Sequence, residues 1–194
     1  MSSKWESSLE SWWEQQGTWQ VFPPVTVEVQ DEAEGGDPRV DLRHASLTVS
    51  RDKRTVVVTA RLQQPTNPTT PNWWLGKSLP RPGIRWGLNL DGSANWQYIA
   101  NLRGAPLTGA YGYVERGQED PSQVVSPAVA SFDGTEYRLQ FPTSAFGGIP
   151  TRIRFSVYVQ LYDDSGEGGI LGGDYAPAGG TFSDWFTVPV LAGG

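Results

Sequence analysis

The sequence contains no cysteine, which excludes disulfides, zinc–thiolate centres and a cysteine nucleophile while leaving the compartment open. Histidine and methionine are almost as scarce, each occurring once, as His44 and Met1. A single histidine supports no Ser-His-Asp set. Long apolar runs are missing too: none approaches the ~20 residues of a membrane-spanning helix, and the first residues lack the basic and apolar regions of a signal peptide. Basic clusters are absent. The formal net charge is −6 and the arginines are scattered singly, so a phosphate backbone would meet a repelling surface and nucleic acid is not an expected partner. No segment alternates a strand with a long helix, and that excludes a parallel α/β sheet.

What is present is a turn-rich chain of 194 residues with 23 Gly, 15 Pro and 38% apolar residues, enough to bury a core. Two parts are expected, an arm over residues 1–22 and a β domain over 23–194. In the arm, Ser3 stands three residues before Glu6 in a capping-box pattern and Gly17 is a C-cap, which predicts a short helix. Its stripe of Trp5, Leu9, Trp12 and Trp13 must cover something, either its own domain or a protein partner. Glu6, Glu10 and Glu14 on its polar face disfavour a membrane surface.

Beyond Pro24 the period becomes 2. Nine strands are predicted, over 25–29, 43–49, 54–62, 84–90, 95–102, 110–115, 136–141, 152–162 and 184–190. In the eighth, Ile153, Phe155, Val157, Val159 and Leu161 alternate with Arg152, Arg154, Ser156 and Gln160, the pattern of an antiparallel sheet wet on one side. "SRDKR" and "FDGT" read as hairpin turns. The expected class is all-β: an antiparallel β-sandwich, jelly-roll or immunoglobulin-like, preceded by the short helix.

The order "EGGDPRVDLRHASLTVSRDKRTVVVTARL", "GIRWGLNLDG", "FDGTEYRLQFPTSAFGG", "IRFSVYVQLYDD" and "GGDYAPAGG" resembles the DOMON-like β-sandwiches related to family 9 carbohydrate-binding modules, over about residues 25 to 190. The resemblance implies an extracellular accessory module that binds a ligand, sugars in some members and haem in others. Haem held between Met and His would need residues this chain has only as Met1 and His44, so no haem is expected. The family's acidic positions fall on Asp37, Asp41 and Asp174, within the Gly-rich segments "DEAEGGDPRVD" and "DDSGEGGILGGDYAP". The resemblance implies a structural Ca²⁺ there, and solvated acidic loops are the alternative.

A sugar site needs aromatic faces for the C–H patches of pyranose rings, together with amides and guanidinium groups for the hydroxyls. Trp73 and Trp74 lie in the Pro-rich stretch "PTNPTTPNWWLGKSLPRPG", and form either a lid on the core or a stacking platform. Trp86 alternates with Ile84 and Leu88, and Trp96 with Tyr98, Ala100 and Leu102, so both read as core. Arg85, Asn89, Asn101 and Arg103 occupy the opposite parity and form a candidate polar binding face. A glycosidase would need two carboxylates flanking the scissile bond. Glu115 and Glu136 are candidates, but their parities disagree. The sequence therefore points to a non-catalytic module that binds carbohydrate or another small extracellular ligand. The rival is a structural or assembly protein docking through residues 1–22 or an edge strand.

Overall fold

The computed structural model describes residues 24–32, 37–67, 81–105, 109–117, 123–162 and 170–188. The expected N-terminal helix, with Trp5, Leu9, Trp12 and Trp13, falls outside the described residues, as do Trp73 and Trp74.

The described chain is all-β and antiparallel. Eleven strands follow in order: β1 (Val25–Gln30), β2 (Leu42–Val49), β3 (Thr55–Leu62), β4 (Arg81–Asn89), β5 (Tyr98–Ala105), β6 (Gly109–Arg116), β7 (Val124–Phe132), β8 (Glu136–Pro142), β9 (Arg152–Tyr162), β10 (Ile170–Ala176) and the two-residue β11 (Phe186–Thr187). Ten of them form one continuous hydrogen-bonded path, β1-β2-β3-β8-β7-β6-β5-β4-β9-β10, with β11 attached to β9. The path bends at β7, whose first half pairs with β6 and whose second half pairs with β8. A first ladder, β1-β2-β3-β8-β7, thus continues into a second, β7-β6-β5-β4-β9-β10.

The two ladders share one core. Val56, Val58 and Ala60 of β3, Leu139 and Phe141 of β8, Ile84, Trp86 and Leu88 of β4, and Ile153, Phe155, Val157 and Val159 of β9 are all buried. Strict period-2 alternation of β-branched and aromatic residues sends them to one face of each pleated strand. Full burial of each large side chain contributes roughly 1.5–3 kcal/mol. Two bonds tie the ladders together. The Trp86 indole Nε1 donates to the Thr59 carbonyl at 3.1 Å across the interior, and the Leu42 N–H of β2 donates to Asp174 Oδ2 of β10 at 2.9 Å. The second bond links strands near opposite ends of the path and leaves the sheet nearly closed into a barrel.

Two strands are added to the nine predicted, and each has a reason for being hidden. In β7 Pro127 lacks the N–H a central strand needs, and the strand places it where pairing passes from β6 to β8. Glycines 172 and 173 obscure the pattern of β10, a strand at the end of the path. The last expected strand shrinks to Phe186–Thr187. Both predicted turns form: Asp133 Oδ1 accepts from the N–H groups of Thr135 and Glu136 in a turn with Gly134 at φ 102°, and Lys53 takes φ 57° between β2 and β3. Trp86 is buried as its alternation implies.

Trp96 is a correction. It is half-buried and outside the core, because β5 begins only at Tyr98 and the period-2 reading does not extend back through the bend at residues 95–97. Its ring lies over Gly87, on the face of β4 opposite Trp86, so closely that a Cβ at Gly87 would fall 2.2 Å from it.

Candidate functional site

On the outer face of the second ladder, one residue from each of five strands falls into a single transverse row. Tyr175 of β10 stands opposite Tyr158 of β9, Tyr158 opposite Arg85 of β4, Arg85 opposite Asn101 of β5, and Asn101 opposite Tyr113 of β6. In the neighbouring row Arg103 of β5 stands opposite Tyr111, and Gly83 lies between Gln160 and Arg103. The parity that buries Trp86, Val157 and Val114 sends every one of these side chains outward.

The row ends in aromatic pairs. Tyr158 and Tyr175 stack with centroids 4.1 Å apart at 19°, and Tyr111 and Tyr113 lie nearly parallel at 6.2 Å and 13°. Gln160 Nε2 donates to the Tyr158 hydroxyl at 2.8 Å, fixing one pair. Between the pairs, Asn101 Nδ2 donates to Glu115 Oε1 at 3.1 Å and to the Ile99 carbonyl at 3.2 Å. Those bonds set the amide's orientation and leave Asn101 Oδ1, fully buried, with no hydrogen-bond partner. The Ser156 hydroxyl on the same face is also fully buried without one. A solvent-washed sheet surface would not hide such groups, each of which costs about 1–3 kcal/mol when unsatisfied.

Burial, above all, pushes the Tyr113 phenol up from its usual pKa. The nearby Arg103 guanidinium opposes the shift, Glu115 and Tyr111 reinforce it, and Arg85 opposes it more weakly. Burial likewise raises Tyr175, helped by Tyr158. Both phenols therefore stay neutral hydrogen-bonding groups across the physiological range.

Of the residues expected to form the polar face, Arg85, Asn101 and Arg103 are brought together. Asn89 is not, although its parity is the same. At the end of β4 it is fully buried in a turn: its amide donates to the Asn95 carbonyl at 2.8 Å, and its Oδ1 accepts from the Gly92 N–H at 3.0 Å and from Arg154 Nε at 3.2 Å. Arg154 also donates to the Ser93 carbonyl at 2.7 Å, with its guanidinium 4.5 Å from the Phe182 ring centroid and 4.7 Å from that of Trp185. This knot holds the β4–β5 connection. Beside it opens a cleft of about 540 Å³, lined by Ser93, Asn95, Trp96 and Arg116 among others.

The tyrosines were not singled out from sequence. Tyr158 sits at the wet parity of β9, alternating with buried Val157 and Val159, and Tyr111 and Tyr113 share the parity of Glu115. An aromatic repeatedly on the solvent side of predicted strands was the available signal. Tyr175 gave none, because β10 itself was missed.

The three expected calcium ligands lie near one another, since the Asp41 N–H donates to the Asp37 carbonyl and the Leu42 N–H donates to Asp174, and each has a partner within the protein. Asp37 is gripped by Arg39, whose side-chain hydrogen bond, more than any other influence, holds its carboxyl below the usual range. Asp41 is buried with Arg43 Nε at 3.2 Å from its Oδ1, close enough for an ion pair but misaligned for a hydrogen bond. Asp174 accepts from the Leu42 and Tyr175 N–H groups. Among the described residues no group of three or more His, Asp or Glu side chains stands together as a metal site. Of the two carboxylates weighed for catalysis, Glu115 bonds Asn101 in the second ladder, while Glu136 pairs with Arg61 at 2.9 Å in the first.

Compared with family models, with curated proteins and with solved structures, the chain matches none.

Proposed function

We propose that this chain is a non-catalytic carbohydrate-binding module that uses the outer face of its second ladder. The observation that carries the reading is the row Tyr175, Tyr158, Arg85, Asn101 and Tyr113, each directly opposite the next. Four strand intervals at ~4.8 Å make it about 19 Å long, which suits an oligosaccharide better than a single ring. Stacked tyrosines offer apolar faces at both ends, and the guanidinium groups between them suit ring hydroxyls. Strand-borne side chains hold such a pattern more rigidly than loops do, which lowers the entropic cost of binding. The resemblance to DOMON-like sandwiches and family 9 carbohydrate-binding modules points the same way. On that reading the nearly closed sheet is a sandwich folded at β7 and the native setting is extracellular. Trp73 and Trp74 join the proposal on sequence grounds, as a second platform or as a lid. Glu115 and Glu136, on different ladders and each held by a protein partner, support a binding rather than a hydrolytic role.

A screen of the purified chain against immobilised glycans and insoluble polysaccharides tests this. Retention of at least one glycan class, lost in Tyr113→Ala and Tyr158→Ala, is the expected result; no retention on any surface overturns the reading. The assembly reading draws on one observation, a cleft of about 390 Å³ where β7 departs from β8, lined by Val129, Gln140 and Phe141 among others, with Val129 71% exposed. Size-exclusion chromatography with and without residues 1–22 distinguishes it: an oligomer lost on truncation favours assembly.

A further inference from the structure

The cleft beside the β4–β5 connection carries polar side chains with hydrogen-bonding capacity to spare. Two of them are fixed by one atom and leave another unused. Gln97 Oε1 accepts from the Leu90 N–H at 2.7 Å, and Asp91 Oδ1 accepts from the Ser93 N–H at 2.7 Å. Among the described residues no hydrogen bond is made by Gln97 Nε2 or Asp91 Oδ2, nor by the Asn95 side-chain amide, Trp96 Nε1 or the Arg116 guanidinium. Asp91, Asn95 and Arg116 are exposed, and Trp96 and Gln97 are half-buried, so all five are open to a ligand in the cleft they line. The walls are already set. The Gly117 N–H donates to the Gln97 carbonyl at 2.8 Å and the Gln97 N–H to the Leu88 carbonyl at 2.9 Å, while a Cβ at Gly117 would fall 2.0 Å from the Trp96 carbonyl oxygen. The Trp96 ring itself is seated on Gly87. Walls fixed in advance lower the entropic cost of binding.

We infer that this cleft is a second sugar-binding site, separate from the tyrosine row, and that it holds one neutral, hydroxyl-rich ring against Trp96. This rests on the carbohydrate reading and adds a site to it. The indole offers an apolar surface to the C–H patches of the ring, the Asp91 carboxylate accepts from hydroxyls, Gln97 Nε2 and Trp96 Nε1 donate to them, and the Asn95 amide does both. The opposite charges supply selectivity: Asp91 repels an anionic ring and Arg116 a cationic one, whereas a neutral polyol bonds to both. Asp91 follows β4 and Arg116 ends β6, so they flank the start of β5 two strand intervals, roughly 10 Å, apart. That span and the volume of about 540 Å³ match a small-molecule site rather than a groove for a long chain.

The test is a titration of the isotope-labelled full chain with glucose, galactose, mannose and xylose, and then with oligomers of each, read at assigned backbone amides and at the Trp96 indole N–H. At least one monosaccharide is expected to move the Trp96 indole signal and the amides of Asn95, Gln97 and Arg116, and Tyr113→Ala is expected to leave that response intact. Asn95→Ala and Arg116→Ala, both at exposed positions, should each weaken it about tenfold with an unchanged melting temperature, and Trp96→Ala should abolish it. If Trp96→Ala fails to fold, the two exposed variants decide. Changes confined to the tyrosine row overturn the second site and leave the carbohydrate reading standing, and an unchanged response in both exposed variants does the same. Changes confined to the cleft, with every oligomer, keep the second site and overturn the row. No change with any sugar removes both. A stronger response to free serine than to any sugar overturns the neutral-ring assignment in favour of a zwitterion.

Discussion

Removing one hydroxyl, in Tyr137→Phe, tests how the chain is anchored as it leaves the barrel after β3. Tyr137 is fully buried on β8, with its ring stacked on Phe132 at 4.6 Å, and its hydroxyl donates to the Thr66 carbonyl while accepting from the Thr66 N–H at 2.8 Å. Phenylalanine keeps the ring and the stacking and deletes only this two-way clamp. Each buried polar group left unsatisfied costs about 1–3 kcal/mol, and Thr66 is half-buried, so water takes up part of the loss. The expected destabilisation is ~1.5 kcal/mol, against roughly 3–5 kcal/mol for Tyr137→Ala. Urea denaturation at neutral pH measures both. The pH dependence supplies a second check. Burial, the dominant influence, raises the Tyr137 phenol, although its bonds to Thr66 oppose the shift. The folded state therefore favours the neutral phenol. Its contribution is fully present below the unfolded value of about 10 and is lost as pH rises through the raised folded value. The wild type should lose its advantage over Tyr137→Phe above about pH 10. Tyr113 and Tyr175, raised in the same direction, titrate in both proteins and cancel from the comparison. A Tyr137→Phe protein as stable as wild type at neutral pH would refute the clamp.

Gly87→Ala should force the Trp96 ring off the outer face of β4, at an overpacking cost of about 1–3 kcal/mol, visible as a lower urea midpoint. An unchanged midpoint would show that Trp96 moves aside freely. Because Asp37 and Asp41 each have an arginine beside them and Asp174 is held by backbone N–H groups, melting curves in chelator and in millimolar Ca²⁺ should coincide; a higher melting temperature with Ca²⁺ would support the ion that the sequence resemblance implies. The double change of Trp73 and Trp74 to Ala separates lid from platform: a loss of ~3 kcal/mol or more in urea denaturation marks a lid, and intact stability with glycan binding weakened by at least ~1 kcal/mol marks a platform.

Strand identity was legible wherever one face is buried and the other is not. β3, β8 and β9 alternate cleanly because packing the core and wetting the outside make opposite demands on neighbouring residues. That parity alone also puts Arg85, Asn101 and Arg103 on one face. Pairing order was not legible, because β3 with β8 and β4 with β9 are contacts between distant segments that no local pattern encodes. Asn89 misled because parity says nothing about where a strand ends: two residues past Gly87 the outward position belongs to a turn, and the turn uses the amide. Trp96 misled for the mirror-image reason, by lying before its strand begins. Tyr175 could enter the site only once β10 was known to pair with β9, in register with Tyr158.

The central claim is that the second ladder's outer face binds sugar, and the most direct measurement is to locate the bound glycan by mapping amide chemical-shift changes on titration with an oligosaccharide retained in the screen. The account predicts that the largest changes fall on Arg85, Asn101, Tyr113 and Tyr158, the consecutive members of one row. Changes confined to the first ladder, or to the β7–β8 cleft at Val129 and Gln140, would contradict it.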